Sequence, residues 1–120
     1  MARILIAYQD KHGCTNITDI ISRWAPAADL NNTDAYIADV SKRSGFGALD
    51  PIDTHEHRCV SPLVQAIIWH ENGMNPYSQA QIDEGLKLAG VVPEPPASTV
   101  ATLAKDPKVI ATTIAATAAS

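Results

Sequence analysis

The sequence predicts an all-α fold, a compact bundle of about five short helices. Apolar residues recur at the three- and four-residue spacing of an amphipathic helix, and the strict alternation of a half-buried strand is absent. Most of the helical segments are bounded by an N-capping residue and by a glycine or proline. A chain of 120 residues is long enough for one domain whose core needs no disulfide or metal.

The first two helices follow from apolar spacing. A short amphipathic segment ends at Gly13, after two basic residues. Its apolar residues are Ile4, Leu5 and Tyr8. The second helix begins near Thr15 or Asn16, and Pro26 closes it. Its continuous apolar stripe consists of Ile17, Ile20, Ile21 and Trp24.

Capping residues predict the third and fourth helices. The third starts among Asn31, Asn32 and Thr33, presents Tyr36, Ile37 and Val40, and ends at Gly45. Residues 45–60 are interpreted as a loop. The fourth helix is predicted to start with Ser61 as N-cap and Pro62 as its first residue, where proline's missing N–H is no loss. Gly73 is predicted to follow its last helical residue and end the helix.

The fifth helix and the C-terminal region complete the predicted organisation. Ser78 and Gln81 have the spacing of a capping box, and Gly90 ends the helix. Residues 1–90 are therefore predicted to form the helical domain. Residues 91–98 form a proline-rich linker, and residues 99–120 form an Ala/Thr-rich tail that is marginal as an isolated helix. We expect this tail to gain order only through a partner.

Charge and composition exclude several classes of function. The chain has nine basic and thirteen acidic residues, a formal net charge of -4, and no basic patch for nucleic acid phosphates. No stretch reaches the eighteen or so apolar residues of a membrane span, and the N-terminus lacks a secretory signal pattern. Cys14 and Cys59 are interpreted as free thiols in a reducing compartment.

Glu71 is the sharpest candidate for chemistry. Helical spacing from Ile67 and Ile68 predicts that its carboxyl lies on or beside the apolar face, in the last turn of its helix. Burial and the negative end of the helix dipole both favour a protonated carboxyl, which is the form a general acid needs. The alternative is a structural glutamate that accepts hydrogen bonds near Gly73. The other nearby acids are expected to be solvated surface charges: Asp50, Asp53, Asp83 and Glu84.

Metal and ligand sites have weaker signals. His55, His57 and Cys59 alternate in a way that could hold zinc. No second cluster follows, so we expect a polar loop with no metal and no cofactor. Trp69 lies off the apolar stripe of its helix, and an exposed indole there suits stacking on a sugar or contact with a protein.

Three motifs carry a resemblance to a known family. They are Ser-Arg-Trp-Ala-Pro at residues 22–26, Asn-Asn-Thr-Asp-Ala-Tyr-Ile at residues 31–37, and Trp-His-Glu-Asn-Gly at residues 69–73 followed by Pro-Tyr-Ser at residues 76–78. Together they resemble tailed-phage and prophage virion structural proteins over residues 3–90. The resemblance implies a virion-associated structural protein, made in the host cytoplasm, that docks on other virion proteins.

A more distant similarity is to lysozyme-like proteins. The helix that ends in Glu71 resembles the one that presents the catalytic glutamate in lytic transglycosylases, which would make Glu71 the general acid and place Trp69, His70, Asn72 and Tyr77 at a binding site. Asn72 stands where that pattern has serine, and the downstream Gly-x-Met-Gln segment is absent. Longer relatives also carry an upstream segment. We therefore expect a non-enzymatic protein, with a peptidoglycan glycosidase and a non-catalytic peptidoglycan-binding module as alternatives.

Overall fold

A computed structural model describes residues 1–94, and this part of the chain is helical without a strand. The all-α prediction is confirmed. The elements are α1 Ala2–His12, α2 Ile17–Trp24, a 3-10 turn Ala27–Asp29, α3 Thr33–Ser44, α4 His57–Asn72 and α5 Gln79–Leu88. The predicted tail at residues 99–120 and the end of the predicted linker lie outside the described residues.

Local capping explains where three of these helices begin. The side chain of Asn16 accepts a hydrogen bond from the Asp19 amide at 2.8 Å and starts α2. Asn32 starts α3 in the same way. Ser78 and Gln81 form the predicted reciprocal capping box at the start of α5. These contacts satisfy amides that a helix leaves without an internal partner, so the predicted starts of α2, α3 and α5 are confirmed.

The predicted start of α4 is wrong. The helix begins at His57, so residues 57–60 are helical rather than loop, and Pro62 lies inside the helix. An interior proline removes one backbone hydrogen bond and costs about 3 kcal/mol. The added turn buries Cys59 and Val60 in the core, and burial of apolar side chains offsets that cost. Ser61 is not a cap but a buried residue of α4.

Helix α4 lies at the centre of the fold. Helices α3 and α5 both pack against it, while α2 packs on α3 and α1 on α2. Its buried side chains include Leu63 and Ile67, which are fully enclosed. After α5, Val91 is also buried, and its N–H donates to the carbonyl of Leu86. Within residues 1–94, no helix combines the length and apolar character that crossing a bilayer requires.

The segment between α3 and α4 is irregular but well anchored. Thr54 is completely buried, and both its amide and its hydroxyl donate to Oε1 of Gln9 at 2.7 Å. The amide of Ile52 donates to the carbonyl of Thr15. These contacts hold the segment against α1 and the start of α2, so the start of α4 has a defined position.

Candidate functional site

The structure separates the predicted site residues onto different surfaces. Trp69, His70 and Glu71 occupy the last turn of α4, where they meet residues of α3. Asn72 ends the helix, and Tyr77 lies in the connection to α5. Trp69 and Tyr77 line two different grooves.

Glu71 accepts a hydrogen bond from the hydroxyl of Tyr36 at 2.6 Å. That hydroxyl accepts in turn from Nε1 of Trp24 at 3.0 Å. Glu71 is exposed, so it lies beside the apolar face rather than buried on it. Ile67 and Ile68, a few residues earlier in α4, are buried in the core. The contact with Tyr36 makes Glu71 part of the packing between α3 and α4.

Tyr36 is the central residue of this contact. Its side chain is buried, and burial, reinforced by the hydrogen bond to Glu71, raises the pKa of the phenol well above its usual value. The phenol therefore stays protonated and keeps donating to the carboxylate. Its ring also packs on the imidazole of His70, with ring centroids 3.7 Å apart.

His70 and Trp69 are tied to the same face of α3. Nδ1 of His70 lies 2.9 Å from Oδ2 of Asp39, and Nε of Arg43 donates to both carboxylate oxygens of Asp39. The hydrogen bond with His70, together with the charge and hydrogen bond of Arg43, holds the pKa of Asp39 below its usual value. The Arg43 guanidinium lies 4.8 Å from the centroid of the Trp69 ring, a cation–π distance.

These contacts define what we call the α3–α4 seam. Its members are Trp24, Tyr36, Asp39, Arg43, Trp69, His70 and Glu71. Each hydrogen bond joins two groups of the protein itself. The seam can stabilise the packing of α3 on α4, and its geometry requires no ligand.

Asn72 and Tyr77 lie away from the seam. Nδ2 of Asn72 donates to the carbonyl of Ile68 at 3.0 Å and so helps to end α4. Tyr77 is half exposed and lines a small apolar groove of about 210 Å³ together with Met1, Ile82 and Leu86. The two residues therefore have separate surroundings.

A larger groove lies between α4 and α5 and has a volume of about 510 Å³. Of the predicted site residues, Trp69 lines it; we call it the α4–α5 groove. Its polar lining consists of Arg43, His57, Arg58, Ser61, Gln65, Asn75, Gln79 and Asp83. Sequence reasoning missed this groove and placed Asp83 among solvated charges. The four-residue spacing of Ser61, Gln65 and Trp69 was the available signal, since it places them on one face of a helix.

The candidate zinc ligands do not converge. Nε2 of His55 lies 2.7 Å from Asp10, and Nε2 of His57 lies 2.6 Å from Asp83. Cys59 is buried. Across residues 1–94, no group of three metal-ligating side chains comes together. His55 instead joins the segment before α4 to α1, and His57 joins α4 to α5.

The chain is similar in sequence to a phage protein. No family model matches the chain. The chain is 36% identical over 86 residues to Protein P5 of Pseudoalteromonas phage PM2, a match that covers 72% of the chain and 51% of that protein. The chain thus spans about half the length of the curated relative it matches. It is a homologue of a phage protein, whereas the lysozyme-like part of the resemblance stays a prediction.

Proposed function

We propose that this chain is a structural component of a phage virion and docks on other virion proteins. Its similarity to a phage protein supports this role. The structural observation that carries the proposal is an apolar surface where the start of α1 meets the end of α5. Location in the virion is part of the same proposal.

The apolar surface is held in place by a contact between the two helices. Nη2 of Arg3 donates to the carbonyl of Leu88 at 2.7 Å, which keeps the start of α1 against the end of α5. Four apolar side chains in or just before these two helices are exposed; we call them the α1–α5 surface. They are Met1, Ile4, Tyr77 and Leu88, with exposed fractions of 42%, 46%, 51% and 70%. Met1 and Tyr77 line the small groove, whereas Ile4 lies next to Arg3 in α1 and Leu88 ends α5.

A surface of this kind favours a protein partner. Apolar side chains that are grouped around a groove can be buried by association, and such patches mark interaction sites more often than scattered apolar residues do. The α3–α4 seam favours the same role in a different way. Its glutamate and histidine are occupied by contacts that hold helices together, which is the requirement of a structural module.

The test compares charged variants in assembled particles. Combined Ile4→Glu and Leu88→Glu substitutions should leave the fold intact, since both side chains are exposed, but should place unpaired charges in the interface. We expect strongly reduced amounts of the chain in purified particles, measured by quantitative mass spectrometry. Leu49→Glu is the matched control, because Leu49 is 73% exposed on another part of the molecule. Normal incorporation of the double variant would overturn the proposal.

A further inference from the structure

The α4–α5 groove has a volume and an arrangement of lining side chains that suit a ligand. Its volume of about 510 Å³ lies within the range of roughly 300–1,000 Å³ that such sites occupy. Ser61, Gln65 and Trp69 form a row along α4 with steps of about 6 Å. The ring of Pro62 and the small side chain of Ala66 also line the groove, which leaves room beside this row.

Hydrogen bonds between the amide side chains hold the lining in position. Nε2 of Gln65 donates to Ser61 at 3.0 Å and to Gln79 at 3.2 Å. Nε2 of Gln79 donates to Ser61 at 3.2 Å and to Asp83 at 2.8 Å. Both hydrogens of each amide are therefore used within the protein. The lining is ordered before any ligand arrives, which lowers the entropic cost of binding.

Among the amide and indole side chains of the lining, two N–H donors have no acceptor within residues 1–94. Nδ2 of Asn75 donates to Oε1 of Gln65 at 3.3 Å, and its second N–H has no acceptor among the described residues. The indole N–H of Trp69 likewise has no acceptor within residues 1–94, and Arg43 holds its ring in place. A ligand that offers carbonyl oxygens and packs against an aromatic ring would complement both groups.

The ionisable side chains beside the groove are already paired. Each arginine or histidine that lines it lies within hydrogen-bond distance of a carboxylate. The pairs are Arg43 with Asp39 at 2.9 Å, Arg58 with Glu56 at 2.9 Å, and His57 with Asp83 at 2.6 Å. Because both lining arginines already have a carboxylate partner, the groove favours an uncharged ligand over a phosphate or an acidic peptide.

The chain itself places a proline at the edge of this groove. Residues 91–94 follow α5 without helical structure, and Pro93 is part of the lining. The carboxylate of Glu94 accepts a hydrogen bond from the amide of Arg58 at 3.3 Å, which keeps this stretch against the start of α4. A proline from a non-helical stretch of backbone therefore already lies in the lining together with Arg58.

We propose that the α4–α5 groove binds a proline-rich, extended segment of a partner polypeptide. Proline residues lack an N–H and in the polyproline II conformation present carbonyls without internal hydrogen bonds, which suits the free donors of Trp69 and Asn75. Aromatic-lined grooves recognise such segments by this chemistry. The groove shares no residue with the α1–α5 surface, so this proposal and the docking proposal can fail separately.

A peptide titration of the full chain tests the proposal. The probe is a capped nonapeptide of three Pro-Pro-Ala repeats, followed by ¹H–¹⁵N NMR. We expect saturable shifts of the Trp69 indole signal and the Asn75 side-chain signal. The Trp24 indole is the internal control, because it already donates to Tyr36. A matched peptide of Ser-Ser-Ala repeats should bind at least tenfold more weakly.

Variants separate the groove from other exposed aromatic residues. Trp69→Ala should weaken binding at least tenfold, and Trp69→Phe, which keeps a ring but removes the N–H, should weaken it about fivefold. Tyr77→Ala should leave binding unchanged. The proposal is overturned if the proline peptide leaves the Trp69 signal in place, or if the serine peptide binds equally well. Shifts of Trp69 with a tetramer of N-acetylglucosamine but not with the peptide would also overturn it, in favour of a glycan site.

Discussion

The α3–α4 seam and the α4–α5 groove meet at Arg43 and Trp69 and use polar side chains differently. In the seam, the Tyr36 hydroxyl accepts from Trp24 and donates to Glu71, and Asp39 is bound by His70 and Arg43. In the groove, the amides bind one another, yet donors on Asn75 and Trp69 are left over. The hydrogen bonds of Tyr36 and Asp39 stabilise the fold, whereas the spare donors of Asn75 and Trp69 are suited to a ligand.

Trp69 belongs to both regions and shows how they differ. Arg43 of the seam packs over its ring, while the indole also lines the groove. Glu71, two residues further along α4, contacts the seam through Tyr36. Glu71, the sharpest candidate for chemistry in the sequence, therefore makes a structural contact. Trp69, whose sequence signal was weaker, lies at the open groove.

The largest effect should come from removing the centre of the seam. Tyr36 is buried, so Tyr36→Ala should lower the free energy of unfolding by about 3–5 kcal/mol, as for other large-to-small core substitutions. Urea unfolding followed by circular dichroism measures this. Tyr77→Ala is the matched control, because Tyr77 is half exposed, and it should change stability by about 0.5 kcal/mol or less. A loss below about 1 kcal/mol for Tyr36→Ala would contradict the structural role of the seam.

A smaller effect should isolate the hydrogen bonds of the seam. Tyr36→Phe keeps the ring but leaves the Trp24 N–H without its acceptor, so we expect a loss of about 1–2 kcal/mol. Combining it with Glu71→Ala in a double-mutant cycle should give a coupling energy of about 0.5 kcal/mol or more. The control cycle pairs Tyr36→Phe with Tyr77→Phe and should be additive. An additive result for the first cycle would mean that the hydroxyl and Glu71 do not stabilise each other.

The pH dependence of stability should distinguish Asp39 from His55. The pKa of Asp39 is lowered from 3.8 by His70 and Arg43, so its contribution is complete above that pH and is lost as the pH falls through the lower folded value. The melting temperature difference between wild type and Asp39→Asn should be largest near pH 5 and shrink on acidification. A difference that is constant down to pH 2 would contradict the ion pair.

The contribution of His55 to stability should change with pH in the opposite direction. Its hydrogen bond with Asp10 raises its pKa from 6.5, so its contribution is present below that pH and is lost as the pH rises through the higher folded value. The difference between wild type and His55→Gln should therefore fade on going from pH 6 to pH 9. Because both partners are about half exposed, this effect should be smaller than that of Asp39.

The smallest effect is expected when Glu71→Gln and wild type are compared for cleavage of peptidoglycan. Glu71 is exposed and bound by Tyr36, so neither wild type nor Glu71→Gln should release soluble muropeptides from purified cell walls. The two proteins are compared by chromatography of the released fragments, with a matched melting temperature showing that both are folded. Release by wild type and not by the variant would establish Glu71 as a general acid and would overturn the non-enzymatic interpretation.

The sequence by itself determined most of the helices, because caps and apolar stripes are local. Asn16, Asn32 and Ser78 act on amides three residues away, and no distant part of the chain is needed to predict their roles. The start of α4 was missed because proline at residue 62 is typical of a first helical turn. Only burial of Cys59 and Val60 against the rest of the core decided that the helix begins earlier.

The tertiary structure alone decided the environment of the site residues. Helical spacing placed Glu71 beside Ile67 and Ile68, but which part of a helix is covered depends on its neighbours. Glu71 is exposed and accepts a hydrogen bond from the Tyr36 hydroxyl of α3. The groove also needs residues from α4, from α5 and from the connection between them. No local rule brings Gln65, Asn75 and Gln79 together, because their contacts arise from how two helices pack rather than from spacing along either one.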